Sequence, residues 1–224
     1  MFQITHLKGY GARCRLVNLL SIFVLVLVLG FSARAEPTYK VLALGDSLTA
    51  GYGMAQPDAF PRQLEAYLRA QGHDIEVVNG GVSGDTSSGG RARLDWLVDG
   101  SVDLVIIELG ANDGLRGIEP SVTRENLDWI LQRLKDKKVG ILLTGMMAPP
   151  NLGADYGAEF KALYGDLALK HNVMFDAFFL EGVAAAPALN QDDGIHPNAQ
   201  GVAVIVKRLA PKVMQLFGQK KPAP

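Results

Sequence analysis

The sequence predicts a three-layer α/β/α fold built around a five-stranded parallel sheet. Five short apolar runs lack the polar alternation of a half-exposed strand, so the sheet is expected to be covered on both faces. Longer segments of helical period stand between those runs, in the alternating order that builds a parallel sheet. No composition break, linker or internal repeat divides the 224 residues.

Before the first strand lies a segment with a different expected fate. Met1–Ala35 carries Lys8, Arg13, Arg15 and Arg34 with no acidic residue, an apolar run from Leu16 to Phe31, and the small-x-small exit Ala33-Arg34-Ala35. A basic start, an apolar middle and such an exit describe a secretory signal peptide cleaved after Ala35. A membrane anchor is the rival, since sixteen residues approach the lower limit of about 17 for a spanning helix. The cleavage site favours removal, leaving no stable membrane anchor. The expected organisation is therefore a leader over 1–35, one domain over 36–218 and a flexible polar tail over 219–224.

The elements follow in order. Val41-Leu44 is the first strand, and Phe60, Leu64, Tyr67 and Leu68 mark the first helical stripe. Ile75-Val78 is the second strand; Thr86 to Leu97 reads as a helix weakened by Gly89 and Gly90. Leu104-Leu109 is the third strand, followed by the stripe Leu127, Ile130, Leu131 and Leu134. Val139-Leu143 precedes the stripe Phe160, Leu163, Tyr164 and Leu167. Val173-Phe175 is the last strand, and Val202, Ile205, Val206 and Leu209 mark the last helix. A flavodoxin-like strand order, 2-1-3-4-5, is expected for such a chain.

Composition excludes several chemistries. Without its leader the chain has 189 residues, 18 basic against 23 acidic, a net charge of −5. That balance offers no basic face for nucleic acid. The only cysteine, Cys14, leaves with the leader, so no disulfide, cysteine nucleophile or Cys-based zinc site is expected. Export without disulfides suggests a periplasmic or secreted bacterial enzyme, and a monomer is expected.

Ligands in an open α/β sheet bind beyond the carboxyl ends of the strands. Four polar segments fall there: Gly45-Asp46-Ser47-Leu48, Ser83-Gly84-Asp85-Thr86, Gly110-Ala111-Asn112-Asp113-Gly114, and Asp192-Asp193-Gly194-Ile195-His196-Pro197-Asn198. Ser47 follows a buried strand directly, but a serine needs a base to take its proton. Of the three histidines beyond the leader, His73 follows Gly72 in a polar turn, His171 stands just before the last strand at the sheet's opposite end, and only His196 falls on the rim. Asp193, three residues earlier, is spaced to bond Nδ1 and leave Nε2 for Ser47. Backbone amides at Ser47 and Gly84, with the Asn112 carboxamide, could donate to an oxyanion. Each piece also has a plain structural reading. Gly-Asp-Ser and Asn-Asp-Gly are ordinary turns, Asn198 could simply cap the last helix, and Asn112 could merely tie down its loop. Their joint occurrence, in this order along the rim, favours a site.

Together these blocks resemble the GDSL esterases, or SGNH hydrolases, over essentially the whole chain after the leader. Leu44-Gly45-Asp46-Ser47-Leu48 is similar to the first block, which implies that Ser47 is the nucleophile. Ser83-Gly84-Asp85-Thr86 and Gly110-Ala111-Asn112-Asp113 are similar to the second and third, which implies Gly84 and Asn112 as oxyanion donors beside the Ser47 amide. Asp193-Gly194-Ile195-His196 is similar to the fifth, which implies Asp193 and His196 as the other triad members; Asp192 is then solvated or structural. Glu108-Leu109-Gly110 and Asn112-Asp113-Gly114-Leu115-Arg116-Gly117 look most like bacterial thioesterase I / arylesterase / lysophospholipase enzymes. Ala111 stands where those often carry a glycine. The resemblance implies an SGNH hydrolase fold and a cofactor-free serine esterase acting on a small-molecule acyl ester or thioester, such as an aryl ester, an acyl-CoA or a lysophospholipid.

Other readings are weaker. The glycine-rich Gly45–Gly53 segment lacks the Lys-Ser/Thr ending of a phosphate loop and the spacing of a dinucleotide fold. No G-x-S-x-G pentapeptide occurs, and no H-E-x-x-H suggests metal. A carbohydrate acetylesterase, or a non-catalytic lipid- or carbohydrate-binding module on a hydrolase fold, are the alternatives kept. Leu115, Ile118, Met147, Leu152 and Tyr156, in the loops after strands three and four, are expected to wall an acyl groove.

Overall fold

The sheet order in the computed structural model is β2-β1-β3-β4-β5, all parallel, as the sequence predicts. The structure describes residues 39–220; the expected leader and the last four residues of the expected tail lie outside them.

In chain order, β1 (Tyr39–Gly45) ends in a one-turn helix, α1 (Ser47–Ala50), and α2 spans Phe60–Ala70. Strand β2 (Ile75–Gly81) is followed by α3 (Ser87–Leu97), and β3 (Leu104–Glu108) by the short α4 (Ala111–Leu115) and α5 (Pro120–Asp136). Strand β4 (Gly140–Thr144) precedes α6 (Ala154–His171), and β5 (Met174–Asp176) precedes α7 (Ala199–Lys220). Helices α2 and α7 pack together on one side of the sheet, while α3, α5 and α6 pack side by side on the other. Every residue of β3 is buried. This is why the central strands show no alternation: both of their faces are core.

The apolar stripes read from sequence are the buried faces. Phe60, Leu64 and Leu68 of α2, Leu127, Ile130, Leu131 and Leu134 of α5, and Phe160, Leu163 and Tyr164 of α6 are all closed to solvent. Each such side chain removed from water contributes roughly 1.5–3 kcal/mol.

Three local differences from expectation have physical causes. Strand β2 runs on through Asn79-Gly80-Gly81 because these residues pair with Ala43-Leu44-Gly45 of β1, and glycines give no apolar signal for that extension. The weak helix forms despite Gly89 and Gly90. Thr86 caps it by accepting from the Gly89 amide, and a Cβ at Gly90 would stand 2.3 Å from Leu109 Cδ1, so the glycine admits close helix–strand packing. Helix α7 continues to Lys220, taking in the first two residues of the expected tail.

Candidate active site

The Ser47 turn begins where β1 stops. Asp46 caps α1, its Oδ1 accepting from the Leu48 amide at 3.0 Å, and Ser47 is the first helical residue. The last rim segment is built locally too. Asp193 Oδ1 accepts from the amides of Ile195 and His196, both at 2.9 Å, which folds the chain into a tight turn. The same turn brings Asp193 Oδ2 to 2.7 Å from His196 Nδ1. Asn198 then caps α7, its Oδ1 accepting from Gln200 and Gly201. The capping role and the site therefore coexist in one segment.

Across 149 positions of sequence, His196 Nε2 lies 2.9 Å from Ser47 Oγ. Ser47, His196 and Asp193 thus form a continuous hydrogen-bonded chain. The two backbone amides, followed by the imidazole, hold the Asp193 carboxyl down at about 2, so it is ionised wherever an imidazole titrates. Asp192 is exposed and is no part of this chain. The ring of Tyr52 tilts over the imidazole at 4.8 Å between centroids, a contact the sequence did not suggest. His171 sits far from the rim along the chain's order of elements, buried, with Nε2 bonded to Asp128 at 2.5 Å.

The expected donors surround Ser47 in the same groove, which also takes in Gly84 and Asn112. Gly84 has a left-handed backbone (φ +84°). Among the described residues neither its amide nor that of Ser47 has a hydrogen-bond acceptor, so both are available to a ligand. Asn112 differs. Its Nδ2 already donates to Asp46 Oδ2 at 3.0 Å and to the Asp85 carbonyl at 2.9 Å. An amide nitrogen has two hydrogens, so an oxyanion must compete with one of these acceptors.

The groove encloses about 510 Å³ and is walled chiefly by apolar side chains. Of the five residues expected to wall it, Leu115 and Met147 do so. Ile118, Leu152 and Tyr156 do not, and this corrects the expectation. The Tyr156 hydroxyl donates to the Ile118 carbonyl at 2.5 Å, its ring stacks on Phe160, and Leu152 leans on Gly117. The Tyr156 bond and ring stack tie the loop after β3 to the start of α6, and all three residues are only half-buried outside the groove. Leu48, Met146, Phe178 and Leu180 form the wall in their place. Phe178 and Leu180 come from the segment after β5, where no periodicity marks a wall residue.

Beneath the groove lie groups that sequence reasoning passed over. Arg93 of α3 donates to the carbonyls of Gly45 and Gly80 and to Asp85 Oδ2, tying the ends of β1 and β2 to the Ser83–Thr86 loop. Glu108 and Asp46 are both fully buried. A charged residue ending an otherwise apolar strand was the visible signal for Glu108.

Comparison with known proteins agrees with this arrangement. The model of the GDSL-like lipase/acylhydrolase family matches residues 43–204. The chain is 40% identical over 201 residues to an arylesterase of Vibrio mimicus, covering 89% of this chain and 99% of that protein. It is 40% identical over 195 residues to thioesterase 1/protease 1/lysophospholipase L1 of Escherichia coli strain K12, covering 87% and 91% respectively. Among solved structures, the crystal structure of TesA superposes with a TM-score of 0.75 at 37% identity, covering 79% of this chain and 99% of that one. The chain belongs to the GDSL-like lipase/acylhydrolase family and is an esterase of the serine hydrolase type.

Proposed function

We propose that Ser47 is the acyl-accepting nucleophile, with His196 as general base and then general acid, and Asp193 as the group that orients the imidazole. The observation that carries this reading is the unbroken chain Ser47 Oγ–His196 Nε2, His196 Nδ1–Asp193 Oδ2 at the floor of an apolar groove. Ser47 Oγ attacks the ester carbonyl while its proton passes to Nε2. The imidazolium that forms faces an ionised carboxylate, which stabilises it. The proton then goes to the leaving alcohol or thiol, and water repeats the sequence on the acyl-enzyme.

The negative oxygen of the tetrahedral intermediate needs donors that are already in place. The free amides of Ser47 and Gly84 supply two of them. Asn112 supplies a third by exchange, because a charged oxygen is a better acceptor than the neutral Asp85 carbonyl that now takes one of its hydrogens. Since that exchange is driven by charge that develops only on the reaction path, Asn112→Ala should lower kcat by about 10²–10³ with little change in KM. The variant should stay folded and phosphonate-reactive. A large fall in Tm with turnover preserved in the cold would make Asn112 a loop tie instead.

Leu48, Met146, Phe178 and Leu180 suit an aryl or fatty acyl group better than a sugar acetate. The names of the relatives point the same way, to aryl esters, acyl thioesters or lysophospholipids. The leader pattern of Met1–Ala35 supports action in the periplasm or outside the cell. One experiment tests these readings together. Enzyme recovered from the periplasm or medium should begin at Glu36, take a fluorophosphonate on Ser47, and cleave p-nitrophenyl esters of medium and long acyl chains faster than the acetate. Failure to label would favour a non-catalytic binding module, and preference for acetate would favour a carbohydrate acetylesterase.

A further inference from the structure

Glu108 closes β3 in the row opposite Gly45 of β1, directly under the nucleophile turn. Its Oε2 accepts from Thr49 Oγ1 at 2.7 Å and from the Asp46 amide at 3.2 Å. Its Oε1 is buried without a hydrogen-bond partner among the described residues. A Cβ at Gly45 would stand 2.4 Å from Oε2, so the glycine of the turn is what admits this carboxyl group. Beside it lies a second closed carboxyl group, Asp46, which takes the Leu48 amide on Oδ1 and the Asn112 carboxamide on Oδ2.

No lysine or arginine forms an ion pair with either group among the described residues. The Arg93 guanidinium reaches the same turn but spends its N–H groups on Gly45, Gly80 and Asp85. Tyr164 of α6 donates to the Leu109 carbonyl, and Asp113 of α4 is held by Ser87 and Thr123. His196 acts on Asp46 only through its field.

Two carboxylates side by side in such a place cannot both be charged. The donors decide which one keeps the proton. Asp46 has an N–H on each oxygen, whereas Glu108 has one oxygen with nothing to stabilise a charge. Burial, and after it the Asp46 charge, push the Glu108 carboxyl well above the usual range. Burial raises Asp46 as well, to about 6, with the Leu48 amide the strongest of the effects opposing it.

We propose that Glu108 is a positioning residue that works as an un-ionised carboxylic acid. It holds the nucleophile turn through the Asp46 amide and Thr49, and by keeping the pair's proton it leaves the Asp46 carboxylate to aim the Asn112 amide. This role rests on the reading of Ser47 and Asn112 given above.

The test separates an acid from a carboxylate. Glu108→Gln reproduces the shape of a neutral acid but carries no charge. It should keep kcat within about threefold of wild type, whereas Glu108→Ala, which strands two donors, should lose about tenfold or more in kcat with KM little changed. Infrared spectra of the wild-type enzyme at pH 8 should show the carbonyl stretch of a buried un-ionised carboxylic acid, and Glu108→Gln should lack it. Stability supplies a further readout. A group whose folded pKa is raised stabilises the fold below its unfolded pKa and loses that contribution as pH rises through the folded value. Between those two values wild-type Tm should therefore fall with rising pH more steeply than that of Glu108→Gln.

Absence of the infrared band in wild type overturns the proposal. So does a folded Glu108→Gln enzyme as slow as Glu108→Ala, or a Glu108→Ala enzyme with wild-type kcat. If Glu108→Ala does not fold, the infrared band and the Gln variant still decide. Activity in Ser47→Ala would instead sink the underlying reading while leaving the infrared result in place.

Discussion

Ser47→Ala is expected to lower kcat by about 10⁶, and His196→Ala by a similar factor, with the double variant little worse than either alone. The reason lies in the geometry. Ser47 Oγ and His196 Nε2 are 2.9 Å apart, so in the proposed mechanism the proton leaves the hydroxyl as the bond to carbon forms. Neither group does half of this work alone, and deleting one removes the contribution of both. What remains after either deletion is the binding groove with the Ser47 and Gly84 amides, enough to keep a residual rate above that of water. Steady-state kinetics on a p-nitrophenyl ester would check this. Multiplying losses in the double variant would mean that the two residues act separately. Near-wild-type turnover by Ser47→Ala would remove it as the nucleophile.

Asp193→Asn is expected to cut kcat by up to about 10⁴, while Asp192→Asn should be much milder. Asp193 is the carboxylate that touches Nδ1, at 2.7 Å, and its other oxygen is held by the Ile195 and His196 amides. An asparagine could keep those two backbone bonds on its carbonyl oxygen, so the turn should survive. Its NH₂ would then face Nδ1 as a donor, which favours the tautomer with the proton on Nε2 and denies Ser47 its base. The loss should appear in kcat with KM and Tm little changed. The depressed Asp193 carboxyl, at about 2, has a second consequence. Its contribution to stability is present above the unfolded pKa and is lost only as pH falls toward 2. Protonation of Asp193 should therefore set no limb of the activity profile near neutrality. Reversed losses for the two aspartates would show that Asp192 orients the imidazole.

The features legible in the sequence are those that local physics dictates. Apolar runs and helical stripes located all five strands and the long helices, because burial on both faces removes alternation from a parallel strand. The Asp193–His196 turn and the Asn198 cap could be read from spacing, since each is closed by bonds spanning two or three residues. The short helices α1 and α4 were seen only as turns, because one turn of helix leaves no periodic stripe.

Tertiary structure decided everything that depends on distant segments meeting. Rim position and resemblance both pair Ser47 with His196, but the 2.9 Å contact exists only because strand order sets β1 and the segment before α7 on one rim. The groove wall shows the limit most clearly. Ile118, Leu152 and Tyr156 have the composition of wall residues, yet none lines the groove, and Tyr156 is turned onto Phe160 of α6 by a ring stack and a bond to the Ile118 carbonyl. Phe178 and Leu180 take that surface instead. Glu108 reads as the end of a strand, and the β1–β3 register places its carboxyl group beneath the turn that carries Ser47. Element type follows from neighbours a few residues away, so sequence determines it. The direction of a loop side chain, and the company of a buried charge, are set by packing between segments far apart in the chain. Those are decided only when the fold closes.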